Sequence, residues 1–181
     1  MLAIEKVHSQ SKTTMPPLAA AGALPETPLL MILHGHSGTG KTDFVRSHPE
    51  LFDRPGVAVH GHAREYAVFS RARVFGYELG KMHSNPRVLQ EILRDPSVDA
   101  VVLDELAMAT EAFGADLFAE IAVSGKKTLL LAQSIYEAMV LARMLEQGGV
   151  GEFTANIAVF PIAQRDSLPA WLDGIGWRRH G

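Results

Sequence analysis

Eight consecutive residues have the types and spacing that bind phosphate groups. The segment Gly35-His36-Ser37-Gly38-Thr39-Gly40-Lys41-Thr42 matches G-x-x-x-x-G-K-[ST] at every fixed position. In such a loop, backbone N–H groups surround phosphate oxygens, the lysine reaches the β- and γ-phosphates and the Thr hydroxyl ligates Mg²⁺. An apolar run precedes the segment and a helical pattern follows it. These features predict binding of ATP and Mg²⁺ over the alternative of a ligand-free glycine-rich turn.

Two adjacent carboxylates, Asp104 and Glu105, end the apolar run Val101-Val102-Leu103. A strand that ends in carboxylates is the Walker B pattern, and here it accompanies a phosphate-binding loop. Asp104 is predicted to hold the Mg²⁺ shell together with Thr42. Glu105 is predicted to orient or deprotonate a water molecule, which favours hydrolysis over phosphoryl transfer to a bound acceptor. The alternative is a strand that ends in a solvated acidic turn.

A polar pair, Gln133 and Ser134, follows the apolar run TLLLA. An amide at this point can hydrogen-bond a γ-phosphate or a water molecule and report which nucleotide is bound. Gln133 is therefore predicted to act in catalysis with Lys41 and Glu105. The alternative is a helix cap, in which Ser134 begins the next helix.

Five short apolar runs must position these residues. They are LLMIL (29–33), GVAVHG (56–61), VDAVVLDE (98–105), TLLLA (128–132) and NIAVF (156–160). Helical patterns cover 40–48, 111–123, 136–147 and 168–175, and a mixed polar and apolar stretch runs from GVAVHG to Arg94. Continuous apolar runs separated by helices predict an α/β fold, with a parallel sheet covered by helices on both faces.

The composition predicts one domain preceded by a tail. Residues 1–27 are rich in Ser, Thr, Pro, Ala and Gly, which indicates a tail or arm, and residues 28–181 form the predicted domain. The chain has 181 residues, a net charge of −3 and no cysteine. These values exclude disulfides, thiol nucleophiles and coating of nucleic acid by bulk charge. No stretch approaches the ~20 apolar residues that cross a bilayer.

The interval from Lys41 to Asp104 leaves room for a helix, one strand and a second helical region. This arrangement resembles the RecA-like branch of P-loop ATPases, which has an added strand and a catalytic Glu. The resemblance implies a five-stranded core sheet in the order 5-1-4-3-2. In that order, TLLLA lies between the loop-bearing strand and the strand that ends at Asp104, so Gln133 points towards the γ-phosphate.

The segments LDE, LLLAQS, NIAVFPI and QRDSLPAWLDGIG give a more specific resemblance. From Leu29 to about Gly176 the chain resembles the FtsK/HerA superfamily of DNA-pumping ATPases. It is closest in size to the genome-packaging ATPases of membrane-containing phages, because it lacks the membrane segment and extra domains of coupling proteins. The resemblance implies ATP hydrolysis that powers translocation of double-stranded DNA into a viral capsid. It also implies a ring, expected to be a hexamer, a capsid or membrane-protein partner, and a cytoplasmic or virion-associated location.

Such rings complete each site with an arginine from the neighbouring subunit. Arg73 and Arg165 are the first candidates for this arginine finger, followed by Arg64, Arg71 and Arg143. The alternative for each is a solvated surface arginine. The segment from Arg64 to Arg94 carries six Lys and Arg residues against three acids, which fits either a DNA-facing loop or the charged exterior of a helix.

Two other functions stay open. An assembly or export ATPase of filamentous phage or secretion systems normally brings a membrane segment after the ATPase domain. A small-molecule kinase would be expected to carry an arginine-bearing lid and a specificity loop in place of Asp104-Glu105 and the glutamine sensor.

Overall fold

Six parallel strands form one sheet at the centre of the fold. The computed structural model describes residues 30–77, 86–104, 120–121, 123–140, 157–174 and 176–178. The strands are β1 Leu30–His34, β2 Val57–His62, β3 Arg73–Tyr77, β4 Ala100–Leu103, β5 Lys127–Ala132 and β6 Ile157–Pro161. Their order is β3-β2-β4-β5-β1-β6, and every neighbouring pair is parallel.

Helical segments connect the strands in the part of the chain that the structure describes. They are α1 Lys41–Ser47, α2 Pro49–Phe52, α3 Pro86–Arg94, α4 at residues 135–140, a 3-10 segment Ile162–Ser167 and α5 Leu168–Gly174. Among these residues, no helix is long and apolar enough to cross a membrane. The helix predicted over 111–123 lies outside the described residues except near its end, and the tail at 1–27 lies wholly outside them.

The central strands β1, β4 and β5 are largely apolar, which fits a sheet that is covered on both faces. In β1, Met31 and Leu33 belong to one buried cluster, whereas Leu30 and Ile32 belong to another. Successive side chains of a strand point to opposite faces, so a strand buried on both faces needs an unbroken apolar run. β4 and β5 alternate between the same two clusters in the same way.

Helices cover each face. Phe44 and Val45 of α1 and the buried Trp177 pack in the first cluster. The second cluster contains Leu89 and Ile92 of α3, which are three residues apart on one side of that helix. The α/β fold with a parallel sheet and helices on both faces is therefore confirmed.

The predicted count of five strands is corrected to six, and the full sheet order with it, because β3 lies beside β2 at the sheet edge. Without β3, the order β6-β1-β5-β4-β2 matches the predicted order 5-1-4-3-2. The other five strands are those that the apolar runs predicted. β3 was missed because it is only partly covered: Arg73 and Gly76 are exposed, so the strand has no continuous apolar run. Its sequence RVFGY begins with a charge and contains Gly76. A Cβ at Gly76 would lie 1.8 Å from the carbonyl oxygen of Gly61, so glycine is required there.

The carboxylate of Asp53 holds the segment that leads into β3. Its Oδ1 accepts the backbone N–H groups of Ser70 at 2.9 Å, Arg71 at 2.7 Å and Ala72 at 2.8 Å. Burial acts to raise the pKa of Asp53, but these N–H donors outweigh it and lower the pKa below its ordinary value. The ionised carboxylate therefore stabilises the folded chain.

We expect Asp53→Ala to lower the free energy of unfolding at pH 7 by about 1 kcal/mol, after allowance for solvent screening of this half-exposed group. Because the folded-state pKa is depressed, the stabilisation is present above the unfolded pKa and is lost as the pH falls through the folded pKa. Urea denaturation from pH 7 towards pH 3 measures this. Asp166→Ala is the control, since that side chain is 99% exposed. A difference from wild type that does not shrink with acid would contradict the assignment.

Candidate functional site

Three parts of the predicted site, namely the Gly35–Thr42 loop, Asp104 and Gln133, meet at the carboxyl ends of the parallel strands. The Gly35–Thr42 loop follows β1, Asp104 follows β4 and Gln133 follows β5, and all three line one cleft. Glu65, from the connection between β2 and β3, lines the same cleft. Parallel strands all finish at the same edge, so the topology alone brings these distant segments together.

Glycine is required in the Gly35–Thr42 loop for two different reasons, backbone conformation and close contact. Gly38 and Gly40 have φ values of 78° and 90°, a left-handed conformation that other residues rarely adopt. Gly40 also ends the loop, since its carbonyl accepts the Phe44 N–H at 2.8 Å in the first turn of α1. Gly35 is required by contact instead, because a Cβ there would lie 2.6 Å from Cγ2 of Ile162.

Lys41 begins α1 and extends its side chain back across the loop. Its Nζ donates to the carbonyl oxygens of Gly35 at 2.6 Å and His36 at 3.0 Å, and only 8% of the residue is exposed. Burial, and secondly the charge of Lys41, lower the pKa of His34. The lowered pKa favours the neutral form of His34, whereas the Lys41 ammonium supplies positive charge at this end of β1.

Thr42 and Asp104 are in direct contact although they are far apart in the sequence. The Thr42 hydroxyl donates to Oδ2 of Asp104 at 2.7 Å, and Asp104 is 3% exposed. The Asp104 N–H donates to the His60 carbonyl at 2.9 Å, which fixes its backbone beside β2. A hydroxyl has one proton and two lone pairs, so Thr42 can donate to Asp104 and still face a cation. Hydroxyl and carboxylate oxygens suit Mg²⁺, and this pair fits the predicted metal role.

Tyr66 also forms a hydrogen bond with the Asp104 carboxylate, and the sequence analysis did not predict this contact. Its hydroxyl donates to Oδ2 of Asp104 at 2.7 Å, and the residue is fully buried. Burial, and then the charge of Asp104, raise the pKa of Tyr66 far above its ordinary value, so the phenol keeps its proton. The signal was a lone tyrosine in the charged turn after GVAVHGH, because a buried tyrosine needs a partner for its hydroxyl.

Next to Gln133 the structure shows a helix cap, which was the alternative to a nucleotide sensor in the sequence analysis. The Ser134 hydroxyl accepts the Glu137 N–H at 3.0 Å, and the Glu137 carboxylate accepts the Gln133 N–H. Ser134 therefore caps α4. The Gln133 side chain is exposed and lines the cleft, and its catalytic role stays a prediction.

The two candidate arginine fingers lie at different ends of the sheet. Arg165 is in the 3-10 segment after β6, and its Nη1 would lie 3.6 Å from a Cβ at Gly40 of the same chain. Arg73 begins β3 at the opposite edge and forms an ion pair with Asp95 at 3.0 Å. Whether either acts in a neighbouring subunit stays a prediction, and Arg143 lies outside the described residues.

The basic segment from Arg64 to Arg94 has part of its charge in ion pairs. Besides Arg73 with Asp95, Arg94 pairs with Glu120 at 3.2 Å. Arg64 and Arg71 are exposed, and Lys81 lies outside the described residues. The described part of this segment therefore carries less unpaired positive charge than the composition suggests.

Glu105, the predicted water-activating residue, also lies outside the described residues, so its position next to Asp104 is known from the sequence alone.

Neither a model of any protein family nor any curated protein matches this chain. The resemblance to the FtsK/HerA superfamily therefore rests on the quoted segments only.

A double-mutant cycle tests the packing of the loop against the end of β6. We expect Gly35→Ala to destabilise the chain by about 1 to 3 kcal/mol, because its Cβ would collide with Ile162. Ile162→Ala removes the colliding methyl group, so the two substitutions together should cost less than the sum of their separate effects. Equilibrium urea denaturation of the four proteins measures the coupling. Additive costs would show that Gly35 is not limited by this contact.

Proposed function

We propose that this chain binds ATP with Mg²⁺ and hydrolyses it. The observation that carries the proposal is the 2.7 Å contact between Thr42 and Asp104, which lies in the same cleft as Lys41. A phosphate-binding loop needs these three groups together, because phosphate charge must be met by an ammonium and a metal shell. The sequence motif predicts the loop, and the contact with Asp104 supports it independently.

In this proposal each residue has a defined task. The loop N–H groups and the Lys41 ammonium bind the β- and γ-phosphates, and Thr42 with Asp104 would hold the metal ion. Mg²⁺, when bound, neutralises charge on the phosphate oxygens. Glu105 accepts a proton from the attacking water, and Gln133 orients that water or contacts the γ-phosphate.

The finer proposal is that the ATPase belongs to the RecA-like, FtsK/HerA type and moves double-stranded DNA. Its support is the resemblance of LDE, LLLAQS, NIAVFPI and QRDSLPAWLDGIG. We propose a ring, probed below, that packages a genome into a capsid with a capsid or membrane-protein partner. A cytoplasmic or virion-associated location belongs to the same proposal.

Lys41→Ala tests nucleotide binding. The substitution removes the ammonium from the loop, so we expect at least a 100-fold loss of ATP turnover, of the order seen when one group that stabilises transition-state charge is removed. Phosphate release and binding of a fluorescent ATP analogue are the measurements. Arg178→Ala is the matched control, because it removes a cation that pairs with Asp173 away from the cleft. Turnover at the wild-type level in Lys41→Ala would refute the proposal.

Protein concentration and DNA test the ring. If an arginine from another subunit completes the site, the ATPase rate per chain should rise with protein concentration, since such fingers contribute about 10³ to 10⁵ in rate in well-studied GTPases. Double-stranded DNA should raise the rate further, and added salt should remove that increment because phosphate contacts release counterions. An ATPase rate per chain that changes with neither protein concentration nor DNA would exclude the ring and the translocase. The proposal of an ATP hydrolase would remain.

A further inference from the structure

Two hydroxyl groups from different parts of the chain donate to one carboxylate oxygen. Thr42 and Tyr66 both reach Oδ2 of Asp104, each at 2.7 Å. Two donors on a single oxygen fix the rotation of the carboxylate about its Cβ–Cγ bond. Thr42 belongs to the loop that the sequence predicts to bind phosphate, whereas Tyr66 belongs to the connection between β2 and β3 and has no role in that motif.

The chain is built to bring Tyr66 to this position. Turn hydrogen bonds follow β2, with the Glu65 N–H donating to the His62 carbonyl at 2.9 Å. The Tyr66 ring then lies over Gly61, where a Cβ would come within 2.5 Å of the ring carbon Cε2 and 3.3 Å of the Asp104 Cβ. Only a glycine at this position leaves room for the ring between β2 and Asp104.

The hydroxyl of Tyr66 is not needed to fill space. The ring packs beside Phe69, with centroids 5.5 Å apart, and a phenylalanine would occupy the same core volume. A buried hydroxyl costs free energy unless it is hydrogen-bonded, and this one donates to Asp104. What tyrosine adds over phenylalanine is therefore the contact with the carboxylate.

We propose that Tyr66 is a positioning residue that orients the Asp104 carboxylate for the divalent cation bound with ATP. This inference rests on the proposed function and adds a residue outside both sequence motifs. Groups that hold a metal-site carboxylate by hydrogen bonds set its orientation, and their loss typically costs 10- to 100-fold in metal affinity. In the proposal Tyr66 acts through Asp104 and not on the phosphates, so it should change the metal requirement but not the metal-free affinity for nucleotide.

The test is Tyr66→Phe, which deletes the hydroxyl and keeps the ring. Binding of Mn²⁺ in the presence of a non-hydrolysable ATP analogue, followed by electron paramagnetic resonance, gives a readout that does not depend on turnover. We expect Tyr66→Phe to need about tenfold more Mn²⁺ for half-saturation. Binding of the analogue in EDTA should equal that of the wild type. The Mg²⁺ concentration that gives half-maximal ATPase should rise in parallel.

Tyr136→Phe is the matched control, because it deletes the hydroxyl of a tyrosine that is 75% exposed on α4. Wild-type Mn²⁺ affinity in Tyr66→Phe, with nucleotide binding intact in the wild type, would overturn the inference and leave the proposed function standing. Absence of Mn²⁺–nucleotide binding in the wild type would overturn both.

Gly61→Ala provides a second variant should Tyr66→Phe fail to fold. It retains the tyrosine hydroxyl, but the new Cβ forces the ring to move away from Asp104. The inference expects the same rise in Mn²⁺ requirement from this different change. A folded Gly61→Ala protein with wild-type Mn²⁺ affinity would count against it.

Discussion

Parallel pairing of strands that are buried on both faces is the constraint on which the rest of this structure depends. It favours long apolar runs within the strands, so the polar side chains of the candidate site lie beyond the strand ends. All six strands finish at one edge, and the Gly35–Thr42 loop, Asp104 and Gln133 accumulate there. The same arrangement that completes the two cores therefore produces a polar cleft.

Within that cleft, buried charges are tolerated because the chain surrounds each with hydrogen-bonding groups. Lys41 is held by the carbonyl oxygens of Gly35 and His36, and Asp104 by the hydroxyls of Thr42 and Tyr66. Unpaired, such groups would pay a large desolvation cost. The Lys41 ammonium and the Asp104 carboxylate therefore line one cleft. A ligand that combines phosphate with a metal ion requires both charges, and this is the basis of the proposed ATPase.

Much of the fold and of the candidate site could be predicted from local sequence patterns. Continuous apolar runs identified β1, β2, β4, β5 and β6, and the motif identified the loop before α1. β3 was missed because RVFGY at an edge carries no such run, and its pairing depends on Gly76 facing Gly61. At Gln133 and Ser134 the residue types alone did not decide between two interpretations, a nucleotide sensor and a helix cap. The structure shows that Ser134 caps α4.

The sequence by itself determined the fold class, the strand-to-helix loop and its lysine, because apolar periodicity and the positions of glycines act over a few residues. Tertiary structure alone decided that Tyr66 reaches Asp104, that Gly61 leaves room for its ring, and that Arg73 and Arg165 lie at opposite ends of the sheet. These facts depend on which strands become neighbours and where each connection crosses the sheet edge. The contact of Tyr66 with Asp104 joins residues 38 positions apart, so no short window of sequence contains it. Gly61 and Tyr66 are near in sequence, but the space between them matters only because β4 places Asp104 beside β2.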